Sequence, residues 1–154
     1  MDESLEDAFK ELKRVDHLYY VSLKYTRTVD MIKHMLDRLI STLSFGIESL
    51  LKHAKEQKKI NEIPSNLGLR AKLVIDTFQD DQLTDYMNFY LKLRKILRAN
   101  YTKREEFRRH VTMTATIDNG EIVEVNIDIL KEHYDKARDF VNFVKVIIHG
   151  EEES

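Results

Sequence analysis

The chain has no cysteine and no tryptophan, and only one proline and four glycines in 154 residues. Without cysteine, disulfides and thiolate metal sites are excluded. That fits a reducing compartment, and a cytoplasmic location is expected. Scarce proline and glycine leave few breakers, so the chain should form long, uninterrupted helices. No stretch approaches 18 apolar residues, so no transmembrane helix is expected. The start, "MDESLEDAFKELKR", is acidic and amphipathic with no apolar h-region, so no signal peptide is expected. There is no Gly-rich phosphate loop, dinucleotide fingerprint or HExxH helix. The Glu-x-x-His pairs of di-iron bundles are absent as well. No cofactor is expected.

What the chain does have is charge. Charged residues make up 34% and hydrophobic residues 42%, which suits a soluble globular protein with a densely charged surface. This load, with no Cys or Trp, is compatible with a thermophile. The length is that of one domain able to bury a full core without staples. The net charge is −2, but it is unevenly spread. Between Leu91 and His110 stand eight cations: Lys92, Arg94, Lys95, Arg98, Lys103, Arg104, Arg108 and Arg109. Against them are only Glu105 and Glu106, giving +6 there and −8 over the remainder. A positive segment on an acidic chain points to a partner or ligand of negative charge.

Periodicity predicts a mainly α fold, an antiparallel bundle of four to five helices. The first helix runs from about Glu3 to Thr26, with Leu5, Phe9, Leu12, Val15, Tyr19 and Leu23 on one stripe. Arg27 and Thr28 break it, and Thr28 can cap the next helix. That helix runs from about Val29 to Lys58. Its apolar face is Val29, Ile32, Met35, Leu36, Leu39, Leu43, Ile47, Leu50 and Ala54, and Gly46 permits close packing or a bend. "INEIPSN" is a loop. A short helix over about 66–77 carries Leu69, Leu73 and Val74. "FQDDQ" breaks it before a helix over about 82–99 with Leu83, Tyr86, Tyr90, Leu93 and Leu97 inward. Thr102 and Glu105 have capping-box spacing, which predicts a further helical turn. "VTMTATI" and "IVEVNI" flank Asn119-Gly120, so a type I′ hairpin is expected over about 111–127, before the last helix. That helix should start at an Asp128 cap and bury Leu130, Tyr134, Ala137, Val141, Val144 and Ile148. A lone hairpin is marginal and must pack on something.

Candidate chemistry concentrates in "NYTKREEFRRHVTM", residues 100–113. Its bland reading is a solvated helix end. In the sharper one, Arg104, Arg108 and Arg109 offer forked donors for phosphate, and His110 moves a proton near neutral pH. Metal-independent ribonucleases use this chemistry: a base helps the ribose 2′-hydroxyl attack its own phosphate, and cations stabilise the developing charge. Lys103 and Arg98 extend the basic surface. Tyr101, among these cations, can stack on a base, whereas the other tyrosines suit core or interface packing. Asp30 and His34, like Glu106 and His110, lie at i, i+4 and can share a metal. With no third ligand in view, hydrogen bonding is the better reading, and no metal site is expected.

Arg104, five residues and His110, "REEFRRH", resembles the Arg-x4–6-His motif of the HEPN (higher eukaryotes and prokaryotes nucleotide-binding) family of small helical bundles. In that family the motif lies near the end of the penultimate helix, and the order of helices here is similar. Arg27 and His34, with six residues between them, also fit the motif, at a place where the family does not put it. The resemblance implies a homodimer with Arg104 and His110 at the interface. It implies RNA cleavage, or nucleotide or RNA binding without cleavage, and in some members a small nucleotidyltransferase partner. In an ideal helix Arg104 and His110 point about 120° apart. They converge on one phosphate only where the helix ends between them or a second copy completes the pair. The rival class is a helical interaction protein whose basic segment docks an acidic partner and whose hairpin mediates assembly.

Overall fold

A computed structural model describes the backbone from Asp2 to Glu153, and side chains throughout that range except Asn119 and residues 151–153. The fold is mainly helical with one small antiparallel sheet, as expected. Helix α1 (Glu3–His17) continues through a π-helical turn (Leu18–Ser22) into a last short turn, α2 (Leu23–Tyr25). Then come α3 (Val29–Glu56), α4 (Leu67–Phe78) and α5 (Asp81–Arg98). Strands β1 (Asn100–Arg104), β2 (Thr112–Thr116) and β3 (Ile122–Val125) precede α6 (Ile127–Glu153).

Each helix except α2, which continues from the π turn, starts where a short polar side chain accepts from the orphan N–H three residues on. Asp2 accepts from Leu5, Thr28 from Met31, Asn66 from Leu69 and Asp80 from Leu83. At α6 the cap is Asn126, whose Oδ1 accepts from the Ile129 N–H at 2.9 Å. The expected Asp128 cap is thus corrected: Asp128 sits inside the first turn, where a carboxylate favours the helix dipole.

Helix α3 is the central element and packs against α1, α6, α4 and α5. All nine residues of its expected apolar face are buried, as are all six expected for α6. Gly46 allows the closest approach. A Cβ there would lie 2.6 Å from Cε2 of the fully buried Phe140 on α6. In the short α4 the buried residues are Ala71 and Val74, while Leu69 is 52% exposed and not part of the core.

The π turn was not legible from the apolar stripe. In an α-helix Leu23 would stand about 80° around the axis from Val15, at 100° per residue. The i→i+5 bond from the Leu23 N–H to the Leu18 carbonyl underwinds the turn and reduces that offset. Leu23 is buried, and Tyr20 and Val21 are left outside at 52% and 42% exposure.

The region after α5 differs most from expectation. Ala99 is extended (φ −72°, ψ 156°), and the chain enters β1 instead of the turn expected over Thr102–Glu105. β1 pairs with β2 from Asn100↔Thr116 to Arg104↔Thr112, and β2 pairs with β3. Ladder bonds along all of β1 outweigh what one capping box offers. The expected lone hairpin is therefore a three-stranded meander, which removes the marginality of two strands. Its connection over Ile117–Glu121 is a 3₁₀ turn at Asp118–Gly120, with Gly120 at φ +80°, not the expected two-residue turn. β2 carries the sheet's core contacts, through Met113 and Ala115 beside buried Val111 and Val125.

Candidate anion-binding site

The connection from β1 to β2 carries the REEFRRH segment and is docked onto the start of α3. The Phe107 N–H donates to the Arg27 carbonyl at 2.7 Å. Glu106 Oε2 accepts from the Val29 N–H at 3.1 Å, beside the Thr28 cap. Lys103 Nζ lies 3.5 Å from Asp30 and 3.6 Å from Glu106. The Asp30 carboxylate, then Glu106, holds the Lys103 ammonium above its ordinary pKa despite some opposing desolvation. Glu105 (φ 56°) and Phe107 (φ 65°) adopt the left-handed conformation, which is uncommon for any residue with a Cβ. Such strain persists only where the surroundings over-determine it, and it clusters at functional sites. Here the anchors on either side of Glu106 impose it.

This docking closes an open hollow of about 560 Å³ between the loop, the α2–α3 junction and the start of α6. Arg27, Arg104, Arg109 and His110 line it, with Glu105 and Asp128 on the same wall. Three guanidiniums against two carboxylates leave +1 with His110 neutral. Arg104 has a carboxylate partner only at 3.4 Å, in Glu124, and both side chains are about half exposed. Arg27 Nε is buried and has no hydrogen-bond partner among the described residues. Arg109 forms no ion pair among them either. Asn126, Ile127 and Asp128 bring the positive end of the α6 dipole to the same wall. The arrangement suits an anion that accepts forked hydrogen bonds.

Of the residues singled out from sequence, Arg104, Arg109 and His110 meet in this hollow. They do so away from any helix, because α5 has ended at Arg98, before both Arg104 and His110. Arg108 is exposed on the same loop and does not line the hollow. Lys103 is committed to Asp30 and Glu106. Arg98 is exposed at the end of α5 and outside the hollow. Tyr101 is half-buried under the Lys33 ammonium, 4.4 Å from its ring centroid, and lies outside it as well. Asp30 pairs with Lys103 and not with His34. Among the described residues no three His, Asp or Glu side chains gather where they can hold a metal.

Arg27 was missed as a site residue. Its sequence signals are its place at a helix break and its motif spacing to His34, and neither links it to residues eighty positions later. The chain was compared with protein-family models, curated proteins and solved structures, and none of them matches it.

Proposed function

We propose that this hollow binds the phosphate backbone of RNA, in a HEPN-like domain whose site is built on a strand end and loop. The observation that carries the reading is that Arg27, Arg104 and Arg109 share one hollow with His110, two of the three guanidiniums having no carboxylate partner among the described residues. Binding is favoured over cleavage. Proton transfer needs a fixed base, and the His110 ring is exposed with no hydrogen-bond partner among the described residues. The Glu105 and Asp128 carboxylates limit the positive potential, so affinity should be modest and strongly salt-dependent.

The test is fluorescence anisotropy with a labelled single-stranded RNA at low salt. Arg104→Ala and Arg109→Ala should each weaken binding several-fold, by a similar factor for different base sequences. His110→Ala should change it less, and the parent should leave the RNA intact. RNA cutting that is lost in Arg104→Ala and His110→Ala would move the reading to a ribonuclease. Unchanged affinity in both arginine variants would end it and favour a protein that docks an acidic partner through its basic loop.

A further inference from the structure

A second hollow, of about 200 Å³, adjoins the first and shares Arg27 and Ile127 with it. Its remaining lining is Tyr19, Tyr20, Leu23 and Lys24, from the π turn and the short turn after it. The tyrosine rings meet edge to face, with centroids 4.9 Å apart and planes at 82°. Tyr19 is half-buried and Tyr20 is 52% exposed. π turns occur mostly as single turns inside α-helices and frequently at functional sites. This one keeps Leu23 in the core while presenting an aromatic pair beside the basic hollow.

Resting on the phosphate-binding reading, we infer that the tyrosine groove is a base-stacking subsite, so that the ligand is single-stranded RNA. One nucleotide would lay its base against Tyr20 and its phosphate by Arg27, the cation common to both hollows. Base–aromatic stacking tolerates any base, because every base has a π-face. It also discriminates against duplex, whose bases are already stacked on one another and are not offered to a side chain. Lys24 on the same groove adds a cation for the adjoining phosphate. Neither hollow alone specifies this ligand. The basic one would take any phosphate, and the aromatic one any flat ring.

The experiment titrates labelled single-stranded RNA, an abasic strand of the same length and an RNA duplex against the parent, Tyr20→Ala and Tyr20→Phe. Tyr20→Ala should bind the single strand about tenfold more weakly, the size of one lost stack. Tyr20→Phe should keep the parental affinity. The abasic strand should bind the parent and Tyr20→Ala equally, and the duplex should bind the parent more weakly than the single strand. Tyr20→Phe keeps the ring pair with Tyr19 and should keep the parental melting curve, and Tyr20→Ala should stay folded with only the small loss of that pair. If Tyr20→Ala binds the single strand like the parent while Arg104→Ala does not, the stacking subsite is wrong and the phosphate site stands. If the parent binds neither strand at low salt, both are wrong.

Discussion

Two residues report most directly on how the core is assembled. Gly46 lies where α3 and α6 approach, and an added Cβ would meet the Phe140 ring at 2.6 Å. Phe140 is fully buried and has little room to give. Gly46→Ala should therefore destabilise the protein by about 1–2 kcal/mol in urea unfolding, since overpacking outweighs the gain in helix propensity. In a Phe140→Leu background the same change should cost much less, which a double-mutant cycle reads directly. His133 stands on α6 with its ring 5.3 Å from that of Phe89. Burial, then the Lys136 and Lys92 ammoniums, pushes its imidazole from 6.5 down to about 4. The unfolded chain takes up this proton at a higher pH than the folded protein. Stability is then lost as pH falls through that window, by about 2 kcal/mol between pH 7 and 5. His133→Phe should remove that share of the pH dependence in parallel urea titrations.

At the scale of elements, α3 starts under two acceptors, Thr28 and Glu106, and the second comes from the site loop. Thr28→Ala should cost about 1 kcal/mol, as for other caps. Glu106→Ala should cost about 1–2 kcal/mol, because it removes a charged acceptor from a helix N-terminus. It should also speed amide exchange over residues 105–110. RNA affinity should fall even though a negative charge has gone, because the loop loses its anchor. A rise in affinity would mean that Glu106 acts only as a charge. The helices were legible because apolar spacing and caps are local. Thr28 is an example, and the buried faces of α3 and α6 follow the spacing residue by residue. Strand β1 was not legible, since Thr102 and Glu105 fit a capping box and only pairing with β2 decides otherwise. Arg104 and His110 stood out as a motif in the expected place, whereas Arg27 matched it only out of place and with a different partner, His34. Its role depends on a hydrogen bond between its carbonyl and Phe107, which no local pattern encodes.

For the whole molecule, the uneven charge is the main clue to a partner. The chain is −2 overall, yet residues 91–110 carry +6. The fold divides those cations. Lys92 and Lys95 pair with Glu121 and Asp118 at the β2–β3 turn, and Lys103 pairs with Asp30 and Glu106. Arg104 and Arg109 remain at the hollow, where Arg27 joins them from a distant part of the chain. Three guanidiniums on one phosphate path predict counterion release in proportion to the contacts made. The most direct test is the salt dependence of single-stranded RNA binding, plotted as log affinity against log salt. The parent should give a slope of about −2 to −3, from roughly 0.7 per phosphate over the three guanidinium contacts and the added one at Lys24. Arg27→Ala, Arg104→Ala and Arg109→Ala should each make it shallower by about 0.7. A slope near zero, or one that none of these substitutions changes, would contradict the assignment of this hollow to RNA phosphate.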